Sequence, residues 1–97
     1  MSRMADKASV RVIVHGRVQG VYFRDFTCRK AGELALSGYV KNLSDGRSVE
    51  VYAEGEKTSL EKLVSHLKAG PPGAVVEKIT TGYGDYTDSY NGFDIKY

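Results

Sequence analysis

The segment "HGRVQGVYFRDF" (residues 15–26) places two glycines ahead of an arginine, where a helical pattern begins. Glycines allow positive φ, and the successive amides of such a turn can surround an anion. The helix N-terminus adds unpaired N–H donors and partial positive charge. Arg24 in the first helical turn costs about 0.3–1 kcal/mol unless an anion binds beside it. The spacing fits an anion site, and it equally fits a tight β–α turn followed by an exposed arginine.

The glycine pattern does not match the common nucleotide-binding loops, because it contains neither G-K-[ST] nor G-x-G-x-x-G. A second polar candidate is Asn42, whose side-chain amide both donates and accepts; its position near the end of a β-branched run also fits a plain strand-end or turn residue. His15 is expected to be solvated or hydrogen-bonded to the backbone, and His66 is expected to be solvated on the surface of the second helix. Cys28 is expected to be a partly buried helix residue, since no C-x5-R motif follows it. No spacing of Cys, His or acidic residues indicates a metal site.

The elements around these residues follow from changes in hydrophobic period. β-Branched or alternating runs predict strands, stripes at intervals of three and four predict helices, and Asp-Gly between two alternating runs predicts a hairpin. Thr58 or Ser59 is the predicted N-cap of the second helix. The predicted strands are "SVRVIVH", "GYVKNL", "SVEVYAEG", "AVVEKITTGY" and, at an edge, "GFDIKY"; the predicted helices begin at Phe23 and at "KTSLEKLVSHLKAG".

The element order β-α-β-β-α-β with a short terminal strand predicts an α+β, ferredoxin-like fold. Its four-stranded antiparallel sheet would have two helices on one face. The first strand would pair with the third, and the third with the second, which brings loop 16–21 close to Asn42. Residues 1–8 are predicted to be a flexible N-terminal segment and residues 9–97 a single domain.

Composition bounds the class of protein. The chain has 97 residues, a formal charge of +2 and one cysteine. A balance this weak does not indicate a nucleic-acid partner, no apolar run is long enough for a membrane span, and one cysteine fits a reducing compartment. We therefore expect a cytoplasmic protein, and we also expect a monomer.

Three strings, "GRVQGVYFR", "GYVKNLSDG" and "KAGPPGAVVEKI", together closely resemble the acylphosphatase family. The resemblance covers the chain from about residue 9 to Tyr97. It implies an acid-anhydride hydrolase that converts acyl phosphates into a carboxylate and inorganic phosphate. It also implies that Arg24 binds the phosphate and that Asn42 holds the attacking water. The implied phosphate-binding loop comprises Gly16, Arg17, Val18, Gln19, Gly20 and Val21.

One departure from the family pattern lies in the hairpin. Arg47 and Ser48 stand where family members usually have a single residue, so a bulge is predicted at the hairpin tip. This position lies beyond Asn42, not between Asn42 and Arg24.

The implied reaction needs little acid–base machinery. A carboxylate is a good leaving group without a general acid, so the site needs charge neutralisation and an oriented water, with no metal or cofactor. A substrate phosphate oxygen would take the water's proton. Two alternatives stay open: a domain that binds phosphate without turnover, and an RNA-binding module that uses Tyr39 and Tyr52 on the sheet. Glu50 and Glu54 on the face of Tyr52 disfavour the second.

Overall fold

A computed structural model describes residues 6–97. Within this range the chain forms five strands and two helices in the predicted order. They are β1 (Lys7–Arg17), α1 (Phe23–Glu33), β2 (Ser37–Asn42), β3 (Ser48–Glu56), α2 (Lys57–Ala69), β4 (Val75–Gly84) and β5 (Phe93–Lys96).

The strands form one sheet in the order β4-β1-β3-β2-β5. β1 pairs antiparallel with β3 and β4, and β2 pairs antiparallel with β3. β5 adds to the edge of β2 in parallel. The predicted α+β, ferredoxin-like fold is therefore confirmed, and its short terminal strand is a parallel edge strand.

The core lies between the helices and one face of the sheet. Alternate residues of the central strands point toward the helices, as a period of two requires. α2 presents an apolar stripe to that face. Fully or almost fully buried members of the core include Val10, Val12, Val14, Val40, Val49, Val51, Phe23, Leu60, Leu63 and Leu67.

Three local features differ from the predictions. β1 begins at Lys7, so Lys7 and Ala8, expected in the flexible segment, pair with β3 instead; residues 1–5 of that segment lie outside the described part. The N-cap of α2 is Glu56, with no side-chain capping bond, because β3 runs directly into the helix and starts it before Thr58. The β2–β3 ladder shows no register shift. The predicted hairpin bulge is wrong, because loop 43–47 absorbs the extra residue.

The sheet face away from the helices is partly covered by the segment between β4 and β5. Tyr90 packs on both Tyr39 and Tyr52, with ring centroids 5.9 and 5.3 Å away. Glu54, only 1% exposed, anchors this segment by accepting hydrogen bonds from the Thr87 backbone and hydroxyl and from the Asp88 amide. The two rings that the RNA-binding alternative requires are thus already packed against protein. Within residues 6–97, no helix is long and apolar enough to cross a membrane.

Candidate active site

A cleft of about 370 Å³ opens where the N-terminus of α1, the end of β2 and strand β5 meet. Arg24 reaches it from the first turn of α1, and Asn42 reaches it from the last position of β2. The structure therefore brings together the two side chains that the sequence singled out. The cleft is lined by Val18, Gly20, Tyr22, Phe23, Arg24, Asp25, Asn42, Ile95 and Tyr97.

The loop between β1 and α1 turns with alternating signs of φ. Gly20 has φ 75° and Tyr22 has φ 60°, while Val21 between them is not in the positive-φ region. Alternation of this kind directs successive N–H groups toward one side, as in an anion-binding nest. The first backbone hydrogen bond of α1 runs from Phe26 N to Tyr22 O (3.0 Å), and no side chain caps the helix. The preceding amides of the first turn therefore have no helical acceptor.

Gly16 is held within the sheet by its backbone. Its N–H donates to Arg47 O at 3.0 Å, so it is not free to contact a phosphate. A Cβ at this position would lie 2.1 Å from Val75 O, and φ is 137°. Gly16 sits where the β1–β4 register shifts, just after His15. It serves the close packing of β4 on β1, and Arg17 likewise belongs to β1.

Gln19 makes a contact that the sequence did not reveal. Its side-chain Nε2 donates to Leu43 O and to Ser48 O, each at 2.9 Å. Both carbonyls belong to the β2–β3 hairpin, and Leu43 directly follows Asn42. One side-chain amide thus ties the loop to the end of the strand that bears Asn42.

Arg24 presents a positive charge to the cleft. No ion pair to Arg24 is formed within the part of the chain that the structure describes. Its guanidinium instead lies 5.0 Å from the ring centroid of Tyr97. A partly buried guanidinium beside a helix N-terminus, without a carboxylate partner, is an environment that favours an anion.

Asn42 contributes an unsatisfied acceptor. Its Oδ1 is buried and has no hydrogen-bond donor among residues 6–97. Buried polar atoms are nearly always hydrogen-bonded, so such an oxygen needs an explanation. Asn42 lies opposite Val49 in the ladder and is on the helix-facing side of the sheet, in line with Val40. Its side chain is therefore positioned to bind a donor inside the cleft.

Sequence reasoning also missed five lining residues: Phe23 and Asp25, which it treated only as helix positions, and Tyr22, Ile95 and Tyr97. Ile95 pairs with Val40, which places β5 beside β2 and brings Tyr97 next to Arg24. The alternation of Phe93, Ile95 and Tyr97 was the available signal, but it did not specify which strand β5 would join. Tyr22 left no signal, because a left-handed backbone is unusual for a bulky residue.

His15 and Cys28, two other reactive side chains, do not line this cleft. His15 Nδ1 contacts Ser48 Oγ at 3.2 Å, and Ser48 is fully buried. Burial, followed by the charges of Asp25 and Asp94, raises the pKa of the Cys28 thiol, which lowers its reactivity at neutral pH. Among residues 6–97, no group of three or more His, Cys, Asp or Glu could bind a metal.

The fold and the cleft define a ferredoxin-like domain with a cleft at its β1–α1 loop, and comparison with known proteins identifies its family. The acylphosphatase family model matches residues 10–95. An acylphosphatase of Dehalococcoides mccartyi is 50% identical over 88 residues, which cover 91% of this chain and 97% of that protein.

Two solved structures agree with this match. The acylphosphatase from Bacillus subtilis superposes with a TM-score of 0.88 at 40% identity, covering 93% of this chain and 99% of that one. The acylphosphatase from Coxiella burnetii gives a TM-score of 0.90 at 38% identity, with 99% of each chain covered. This chain belongs to the acylphosphatase family, and the resemblance stated from its sequence is confirmed.

Proposed function

We propose that this protein hydrolyses the carboxyl-phosphate bond of acyl phosphates, with the phosphate bound by loop amides and Arg24 and the water positioned by Asn42. The observation that most supports this is one cleft lined both by Arg24 and by the buried Oδ1 of Asn42, neither of which has an ion-pair or hydrogen-bond partner, respectively, among the described residues. Family membership supports the acylphosphatase activity itself.

The phosphate would bind across the start of α1. The amides of the loop up to Val21 and of the first helical turn would donate to its oxygens, and Arg24 would form a charge-assisted pair. These donors are held by the backbone before substrate arrives. They therefore stabilise the charge of the transferring phosphoryl group without reorganising during the reaction. Of the predicted loop, Gly20 and Val18 line the cleft, and Gly16 acts only through its conformation.

The water would donate one hydrogen bond to Asn42 Oδ1. That bond satisfies the buried oxygen and fixes a lone pair of the water toward phosphorus. The water oxygen then bonds to phosphorus as the bond from phosphorus to the bridging oxygen breaks. The electron pair of that bond leaves on the carboxylate, and a non-bridging phosphate oxygen takes the proton of the water.

No protein acid or base is required in this scheme. The product carboxylate leaves without being protonated. Among the described residues that line the cleft, the carboxylate side chain is that of Asp25, and the scheme assigns it no role. We propose that the reaction is metal-independent. We also propose that the protein acts as a monomer in the cytoplasm, without nucleic-acid partners; size-exclusion chromatography with light scattering would test the monomer.

The test is hydrolysis of benzoyl phosphate in the presence of EDTA. Arg24→Ala should lower kcat/KM by about 10²–10³-fold and raise the inhibition constant of inorganic phosphate. Asn42→Ala should lower kcat by about 10²-fold and leave phosphate inhibition within about twofold. Arg29→Ala, on the exposed side of α1, and Asn91→Ala, in an exposed loop, are controls matched in residue type.

Normal turnover by both cleft variants would remove these assignments. Phosphate binding by the wild-type protein without hydrolysis would instead support the alternative of a non-catalytic phosphate-binding domain.

A further inference from the structure

We infer that Tyr22 and Tyr97 form an acyl-binding subsite that selects uncharged, apolar and especially aromatic acyl groups. This inference rests on the proposed function and adds the part of the substrate that the phosphate cradle does not contact. It starts from Tyr22, whose backbone and side chain are both unusual.

Tyr22 combines a strained backbone with an exposed ring. Its φ of 60° and ψ of 28° lie in the left-handed region, which is costly for a bulky side chain. Its side chain is 81% exposed, so packing against the core does not compensate for that cost. Glycine or asparagine would adopt the same backbone more easily. A strained residue with an unburied ring at the edge of a cleft is better explained by contact with a ligand than by stability.

A second exposed ring lines the same cleft. Tyr97 is 96% exposed, and its ring centroid is 5.0 Å from the Arg24 guanidinium. A phosphate bound to Arg24 therefore has this ring close to it. Because the acyl group is covalently attached to the phosphate, it must occupy the part of the cleft near these rings. Ile95 adds apolar surface on the same side.

The charges around the cleft disfavour an anionic acyl group. Among the described residues that line it, the charged ones are Arg24 and Asp25. Arg24 would be used by the phosphate, so a carboxylate on the acyl group would have only Asp25 beside it. Aromatic rings prefer apolar and aromatic neighbours in offset or edge-to-face arrangements, each contact adding modestly to affinity. The cleft thus matches an uncharged ring better than a second anion.

The experiment measures kcat and KM for benzoyl, acetyl and succinyl phosphate in the wild-type protein and in three variants. Tyr22→Ala removes the ring and keeps the backbone strain, Tyr22→Gly removes both, and Tyr22→Phe keeps the ring. Comparing alanine with glycine separates loss of the ring from relaxation of the loop. The inhibition constant of inorganic phosphate, which has no acyl group, reports on the cradle alone.

We expect Tyr22→Ala and Tyr22→Gly to raise KM for benzoyl phosphate by about threefold to tenfold, with kcat unchanged, because the ring contacts ground state and transition state alike. In both variants the KM for acetyl phosphate and the inhibition constant of phosphate should stay within about twofold of wild type. Tyr22→Phe should behave as wild type. The wild-type protein should prefer benzoyl to succinyl phosphate. Equal changes for benzoyl and acetyl phosphate, or no change for either, would overturn the subsite. Absence of wild-type turnover on all three substrates would instead overturn the proposed function, and the subsite with it.

Discussion

Replacing Gln19 tests whether the proposed phosphate-binding loop and strand β2 act as one rigid unit. Its Nε2 donates to Leu43 O and Ser48 O at 2.9 Å each, and Leu43 adjoins Asn42. Gln19→Met keeps the length of the side chain and removes the donor. Gln19→Glu keeps the shape as well, but at neutral pH it turns a carboxylate toward two carbonyl oxygens.

The size of the effect follows from the two bonds. Each net hydrogen bond contributes about 0.5–1.5 kcal/mol, so Gln19→Met should cost about 1–3 kcal/mol. Ser48 O still accepts from Leu43 N at 2.9 Å, whereas Leu43 O retains only a 3.4 Å contact from Gly46 N. We therefore place the loss near the middle of that range, about 2 kcal/mol, or a fall in Tm of about 8–16 °C in a domain of this size.

Gln19→Glu should cost more at neutral pH and show a distinct pH dependence. Its carboxylate would have a folded-state pKa above the unfolded value, because two carbonyls and partial burial oppose its charge. The extra penalty is thus present above the folded-state pKa and disappears as pH falls through it, since the protonated acid can donate to one carbonyl. Gln19→Met has no such dependence and serves as the matched control.

Urea unfolding gives the stability, and steady-state hydrolysis of benzoyl phosphate at a temperature where both variants stay folded gives the activity. We expect kcat to fall by about tenfold or more, since small misplacements of a positioned group are costly, while phosphate inhibition changes less. Stability lost with kcat unchanged would show that the two elements hold their places independently. Wild-type stability in Gln19→Met would refute the energetic reasoning itself.

Two further predictions concern other parts of the fold. Gly16→Ala should destabilise the protein by at least about 3 kcal/mol, because φ is 137° and the new Cβ would lie 2.1 Å from Val75 O. Gly20→Ala meets no atom within 4 Å and should cost about 1–2 kcal/mol. Equal losses of stability in urea unfolding would contradict this difference. Burial raises the pKa of Glu54, but hydrogen bonds from Thr87 and Tyr52 outweigh it and hold the pKa below its ordinary value. The stability that Glu54 provides is therefore present above the unfolded pKa and lost as pH falls through the folded pKa. In Glu54→Gln the free energy of unfolding should depend less on pH between about pH 5 and 3. A variant whose stability follows the wild-type pH profile would disprove this.

The order of the elements was predictable because each rests on a local period. Val10, Val12 and Val14 alternate, and the stripe of α2 repeats at helical spacing, so the sequence signal and the burial agree. Arg24 and Asn42 were predictable for another reason. They stand in strings that resemble the acylphosphatase family, and the paired strands bring those strings together.

The missed features depend on contacts between distant segments. Gln19 contacts carbonyls 24 and 29 residues away, and nothing in its own neighbourhood specifies them. Tyr97 reaches Arg24 only because β5 joins β2 in parallel, an arrangement that the alternation within β5 leaves open. Gly16 looked like part of the anion loop because flexible turns and close strand contacts both require glycine, and sequence does not separate these two reasons.

The division between main-chain and side-chain groups in the proposed site predicts that stability and activity are coupled at some positions and separable at others. The proposed phosphate donors are largely backbone amides, so their positions depend on what holds the loop: the Gly16 contact with β4, the Gln19 bonds to the hairpin and the first turn of α1. A substitution at these supports cannot remove an amide and can only displace it. In the proposed site, Arg24 and Asn42 would instead supply the charge and the water contact through side chains that substitution deletes outright. Variants of the supports should therefore lose activity in proportion to lost stability, whereas variants of Arg24 and Asn42 should lose activity while the domain stays folded.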